Sequence, residues 1–164
     1  AALSYSNFKY LYPNHTEIPY VSLQLALSYF KQLPTTVDRD LSKATSAIQE
    51  FNLVLDKYPG TDFAKTALEK KKITQDMLAK KEAYIANWYF KQEKYLSALK
   101  RFENLVKMPA PADLTSEAYL KGAISAFEIG EVGRGKSMLD RLSKKFPTDD
   151  TSDEIQKVKS KYGI

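Results

Sequence analysis

The sequence predicts an all-α fold in which helix-turn-helix units stack as a right-handed solenoid, and three observations predict it. Apolar residues recur at steps of three and four, most clearly at Ala44, Ala47, Ile48, Phe51, Leu55 and Tyr58, which is the period of an amphipathic helix. The segment 82–111 reads as two such helices joined by a tight turn. Ile85, Ala86 and Tyr89 share one face of the first, and Ala98, Phe102 and Leu105 share one face of the second. Small and large packing positions return in 116–147, with Tyr119 at an aromatic position, Ala123 and Gly135 at the small ones, then Leu139, Leu142 and a closing Pro147. Small side chains let two helices approach closely, and the large ones beside them fill the remaining space. One such pair cannot bury its own apolar face, so copies must stack.

At 164 residues the chain has the length of one domain or one array of repeats. Its 43% apolar content supports a real core. The absence of cysteine excludes disulfides, thiolate metal sites and a cysteine nucleophile. No apolar run reaches the 18 or so residues that a membrane-spanning helix requires. The first residues lack the charged start and apolar core of a signal peptide. They begin in mid-pattern instead, as expected of a trimmed or proteolysed chain. The net charge of +5 suits an anionic partner. Acids are interleaved with the lysines nearly throughout, however, which favours solvated helix faces.

Taken in order, residues 1–13 read as the second helix of a partial repeat, with Ala1, Tyr5 and Phe8 at its packing positions and Pro13 closing it. With no neighbour preceding it, this helix is expected to leave an apolar face exposed. Prolines 13 and 19 bracket a connector. Residues 19–59 form a repeat whose first helix carries Leu23, Leu25, Ala26, Leu27, Tyr29 and Phe30. An insertion at 32–40, QLPTTVDRD, precedes the second helix, and Asp40 is its expected N-cap. Pro59-Gly60 ends that helix, and Thr61 or Asp62 caps the next. Residues 61–111 contain one bent helix of about 30 residues running to Lys91, then the second helix of the repeat. The Lys70-Lys71-Lys72 run is read as a solvated face. Residues 116–147 form the last full repeat. Thr151 and Glu154 form a capping box for a terminal helix over 151–163, ended by Gly163, that covers the apolar end of the array.

Catalytic constellations are not found. His15, the single histidine, lies in a Pro-Asn-His-Thr turn away from any acid-base partner, so no triad can be built. Glycines 130, 133 and 135 lack both the preceding strand and the Lys-Ser/Thr spacing of a phosphate loop. Aspartates 149, 150 and 153 lack the glycine and terminal glutamate of a calcium loop. Neither a cofactor nor a metal site is expected, and the chain is not read as an enzyme. The aromatic run Tyr84, Trp88, Tyr89, Phe90 is different. Adjacent helical residues diverge by about 100°, so Trp88 and Phe90 cannot both share the face of Tyr89. At least one must face a neighbouring helix, a groove or a partner. Tyr84, Asn87, Trp88 and Lys91 are therefore candidate partner-binding residues. Asn87 occupies a position that lines the groove in repeats that clamp a C-terminal carboxylate. The lysine such a clamp needs would stand at Ala83, which argues against that ligand.

The small-aromatic-small spacing of 86–111 resembles the tetratricopeptide repeat of about 34 residues. A wider resemblance rests on YPNHTEIPYV, the VDRD insertion, LDKYPGTDFAKTA and LAKKEAYIANWYFKQEKYLSALKRFENLV. Together these resemble the BamD (YfiO) family of outer-membrane barrel-assembly lipoproteins, over about residues 7–105 and more loosely beyond. The resemblance implies a helical scaffold at the periplasmic face of the Gram-negative outer membrane. It also implies an N-terminal lipid anchor whose cysteine this chain lacks. The implied partners are the POTRA domains of the barrel insertase and unfolded outer-membrane protein segments. The family's first repeats, associated with substrate segments, are absent here, while the later repeats associated with the insertase are present. Arg101 falls at a family arginine linked with docking. Beside the core position Phe102 it is expected to point outward, and a bidentate carboxylate pairing would suit it better than it would suit Lys100. Its reversal to glutamate is expected to leave melting unchanged. Two rivals are carried: another periplasmic adaptor, of the Tol-Pal or cell-division type, against which the VDRD insertion argues, and a basic nucleic-acid-binding repeat, which predicts steeply salt-dependent affinity.

Overall fold

A computed structural model describes the backbone of residues 1–164 and the side chains of all but residues 149–151. Among the described residues there are eight α-helices and no strand. They are α1 (Ala2–Leu11), α2 (Ile18–Phe30), α3 (Ser42–Lys57), α4 (Asp62–Lys91), α5 (Tyr95–Leu105), α6 (Ala112–Glu128), α7 (Val132–Lys145) and α8 (Asp149–Tyr162). They form two compact units, Ala1–Leu78 and Ala79–Ile164, and α4 contributes residues to both. Each unit has its own core, and both show the predicted all-α helix-turn-helix architecture.

In the first unit α2 packs on both α1 and α3. Pro19 stands in the first turn of α2, where its missing N–H would have no helical partner anyway. Leu23, Ala26, Ala47, Phe51, Val54 and Ala67 make the core. Phe51 is fully buried, with the Phe30 ring edge-on at 6.3 Å. Helix α1 buries no residue completely, and Leu3, Tyr10 and Leu11 are exposed. Asp40 acts one residue earlier than expected. The N-cap position is Leu41, and the Asp40 carboxylate accepts from the Ser42 amide at 2.9 Å and the Ser42 hydroxyl at 2.8 Å. It still satisfies the first free N–H of α3, through an Asx turn. Thr61 caps α4, its Oγ1 accepting from the Ala64 amide at 3.2 Å. The 30-residue length of α4 matches the absence of any Gly or Pro between 62 and 91. Of the lysine run, Lys72 is exposed, while Lys70 and Lys71 are half-buried.

The second unit centres on Phe102, Leu99 and Leu105 of α5, Ala118, Ala123 and Ala126 of α6, Leu139 and Leu142 of α7 and Ala79, Ala83 and Ala86 of α4. The alanines of α4 recur at steps of four and three, which keeps one narrow stripe small. Ile155 and Val158 of α8 close the core at one end. There the Tyr162 hydroxyl donates to Glu128 Oε1 at 2.6 Å, and Lys161 Nζ donates to the same oxygen at 3.1 Å. The Tyr162 hydrogen bond, with that from Lys161, holds the Glu128 carboxyl below its ordinary range. The terminal helix and a left-handed Gly163 (φ 64°) agree with expectation. The Thr151 half of the capping box, and Asp149 and Asp150 of the acidic cluster, lie outside the described side chains.

The α4–α5 and α6–α7 turns of this unit are built alike. Lys94 N–H donates to Tyr89 O at 3.0 Å, and Glu131 N–H to Ala126 O at 2.8 Å. The preceding residue is left-handed in both, Glu93 at φ 55° and Gly130 at φ 78°. Only glycine adopts that conformation without crowding its Cβ. Glu93→Gly is therefore expected to raise stability by up to about 1 kcal/mol, read as a higher denaturation midpoint. An unchanged or lower midpoint would mean that Glu93 bears no strain. Gly135 answers a different need. A Cβ there would stand 2.2 Å from the Phe127 ring, so α7 can lie against that ring only with glycine at this position.

Candidate functional site

Four of the five candidate residues come together in the second unit. Tyr84, Asn87, Trp88 and Lys91 fall at steps of three, four and seven along α4, so they share one face. With Glu117 and Lys121 of α6 they line an open groove of about 470 Å³. Phe90 and Trp88 take opposite fates, as their divergence requires. Phe90 packs into the core, edge-on to Tyr95 at 5.8 Å and to Phe102 at 6.1 Å. Trp88 stays 48% exposed and Tyr84 55% exposed.

The groove is held by a lysine that periodicity does not mark. Lys121 Nζ donates to Asn87 Oδ1 at 2.6 Å and to Glu117 Oε1, and it stands 5.7 Å from the centre of the Phe90 ring. Glu117 and Lys121 are an i,i+4 pair legible in the sequence, but Asn87 is 34 residues away. With its amide oxygen occupied, Asn87 is fixed in orientation. Trp88 is placed by the edge of Tyr89 at 5.1 Å and by Lys94 Nζ over its ring at 5.2 Å, a cation–π contact. The wall thus offers two exposed aromatic faces ringed by Lys91, Lys94 and Lys121, with Glu117 the single carboxylate among its lining residues. Such a surface suits recognition of a polypeptide. Among the described residues no group of His, Asp or Glu could hold a metal ion.

Arg101 does not line this groove. Its Nη1 is paired with Glu82 Oε2 at 3.2 Å, with side-chain exposures of 42% and 14%. Glu82 lies on the face of α4 away from Tyr84, Asn87, Trp88 and Lys91, because six residues separate it from Trp88, close to one and two-thirds turns. The arginine expected from the sequence to point outward is half-exposed, and a mostly buried carboxylate of its own chain holds it. The expectation of unchanged melting is corrected accordingly. Arg101→Glu sets two carboxylates together and should lower stability by about 1–2 kcal/mol, while the swap Glu82→Arg with Arg101→Glu should recover most of the loss. Equal denaturation midpoints for the single variant and the parent would show that the pair contributes nothing.

His15 is satisfied locally. Its Nδ1 accepts from the Glu17 amide at 3.1 Å, and its ring meets Phe8 edge-on at 5.3 Å.

The helical-repeat scaffold agrees with comparison to known proteins. Residues 1–118 match the profile of YfiO, described as an outer membrane lipoprotein. This chain belongs to the YfiO family. Residues 117–149 match a tetratricopeptide repeat, covering most of α6 and all of α7. YfiO relatives include outer membrane protein assembly factor BamD of Caulobacter vibrioides, 30% identical over 139 residues, 85% of this chain and 45% of the relative. BamD of Rickettsia prowazekii is 32% identical over 96 residues, 58% of this chain and 38% of the relative. BamD of Xylella fastidiosa is 28% identical over 116 residues, 65% of this chain and 40% of the relative. The chain therefore spans less than half the length of these curated YfiO relatives. The YfiO match includes all four groove residues of α4 and Arg101, and both α6 groove residues, Glu117 and Lys121, fall within the repeat match.

Proposed function

We propose that this chain is a non-enzymatic scaffold segment of the machinery that assembles β-barrel proteins into the outer membrane, and that it docks the periplasmic POTRA domains of the barrel insertase. Membership of the YfiO family supports the assembly role, since the relatives bear the name outer membrane protein assembly factor. The observation that carries the docking is the α4–α6 groove. Tyr84 and Trp88 keep large faces in water, and aromatic residues of this kind dominate the energetics of many protein interfaces.

On this reading Trp88 and Tyr84 are the apolar anchors. Asn87, oriented by Lys121, presents its remaining amide donors, and Lys91 supplies a rim charge. Arg101 is a second, charged contact, at which a carboxylate of the insertase competes with Glu82. The site of action is the periplasmic face of the outer membrane, reached through an N-terminal lipid of the full-length protein. Unfolded outer-membrane protein segments are a further class of partner, and nucleic acid is not.

Titration calorimetry of this chain against the purified POTRA region of the insertase from the same organism tests the proposal. Saturable heat with a defined stoichiometry is expected. No heat at any of several temperatures, from a chain shown to be helical by circular dichroism, would overturn the docking.

A further inference from the structure

The second unit carries another notch, on the side of α5 and α7, that the groove on α4 and α6 does not involve. It encloses about 360 Å³ and is lined by Glu103 of α5, Val106 and Lys107 of the turn that follows it, Tyr119 of α6, and Arg134, Ser137, Met138 and Arg141 of α7. Its floor is apolar, with Met138 and Tyr119 buried and Val106 half-buried.

The rim carries one rung between α5 and α7, and a second pair of side chains beyond it. At the rung Glu103 reaches Arg134 in a fork. Nη2 donates to Oε1 and Oε2 at 2.7 Å each, and Nε donates to Oε1 at 3.1 Å. One glutamate side chain is thus long enough to span the two helices. The hydrogen bonds to Glu103 push the Arg134 pKa up. At the second position Lys107 stands in the turn just past the end of α5, four residues after Glu103, and Arg141 stands two turns on from Arg134 along α7. Both are cations and both are exposed. Glu103 is the single carboxylate among the lining residues, and Arg134 already occupies it. Two like charges on one notch repel unless an anion lies between them.

We propose that this notch docks an acidic protein segment, one carboxylate of which enters between Lys107 and Arg141 while its aliphatic stem rests on Val106, Met138 and Tyr119. The Glu103–Arg134 rung is the internal template for the contact, with Ser137, also exposed, supplying a further hydroxyl donor. A guanidinium takes a carboxylate through two parallel hydrogen bonds, and a neighbouring ammonium reinforces the charge. The apolar floor favours a side chain with a hydrocarbon stem over a bare anion. The inference does not rest on the docking of the insertase, because none of these residues belongs to the aromatic groove.

The test uses fluorescence anisotropy of a labelled peptide of alternating glutamate and leucine, titrated with this chain at low salt. The parent should bind it, and Lys107→Glu, which supplies Arg141 with a carboxylate from within the chain, should weaken binding by about tenfold or more. Arg141→Gln should weaken it comparably, and it guards against a folding defect in the first variant. Lys136→Glu changes an exposed lysine on α7 that does not line the notch, carries the same change in net charge as Lys107→Glu, and should weaken binding by no more than about threefold. Equal losses for Lys107→Glu and Lys136→Glu would reduce the effect to net charge and overturn the proposal. Absence of peptide binding by the parent would also overturn it. So would binding confined to phosphatidylglycerol vesicles, which would make the notch a lipid-headgroup site.

Discussion

Phe102→Ala is expected to destabilise the second unit by about 3–5 kcal/mol, a large part of the roughly 5–15 kcal/mol that separates a typical folded domain from its unfolded state. Phe102 is fully buried. Its ring meets Phe90 edge-on at 6.1 Å, and its Cβ stands 3.2 Å from where a Cβ on Gly122 would be. Truncation leaves a cavity among α4, α5 and α6 that the surrounding alanines are too small to fill. Trp88 is the single tryptophan and lies in the same unit, so its fluorescence follows the unfolding of that unit in a denaturant titration. The transition should move well below that of the parent. A shift worth less than about 1 kcal/mol would mean that this position is not the centre of the core.

The core was legible because helical burial is periodic. Phe51, Phe102, Leu105, Leu139 and Leu142 follow from steps of three and four, and all five are buried. The length of α4 was legible because no Gly or Pro interrupts residues 62–91. Turn geometry was less so. Gly130 announces its left-handed turn, whereas Glu93 adopts the same conformation with no residue-level signal. The one-residue displacement of Asp40 has a local cause: an aspartate can satisfy a first-turn amide from the cap or from just before it.

The candidate site was legible as a face but not as a set of contacts. The position of Phe90, four residues after the buried Ala86, places it some 40° from that residue around the helix, and Trp88 some 160° away. Those angles alone assign Phe90 inward and Trp88 outward. Pairings such as Arg101 with Glu82, Asn87 with Lys121 and Glu103 with Arg134 are separated by 19, 34 and 31 residues. They depend on which turns of different helices stand opposite each other, and a single sequence does not encode that in its local pattern. Glu117 and Lys121 were visible as an i,i+4 pair, yet their role in fixing Asn87 emerges only with the packing of the second unit.

Trp88→Ala is the substitution expected to affect docking most. If the groove holds a POTRA domain, Trp88 is its largest exposed apolar face, and covering an indole at an interface commonly contributes about 2 kcal/mol or more, equivalent to roughly a 30-fold weaker Kd. The folded state should tolerate the change. The ring is half in water, and its main intramolecular contacts are the edge of Tyr89 and the Lys94 ammonium. The expected result is therefore a large loss of calorimetric affinity with nearly unchanged melting. This distinguishes it from Phe102→Ala, where lost binding would only report unfolding. Tyr84→Ala should have a smaller effect in the same direction, because a phenol offers less area than an indole. If the Trp88 variant bound the insertase as tightly as the parent while Arg101→Glu with Glu82→Arg, stable by design, bound it poorly, the docking surface would lie on the Arg101 face of α4 and α5 and not in the aromatic groove. A loss confined to the tryptophan and tyrosine variants would assign it to the groove.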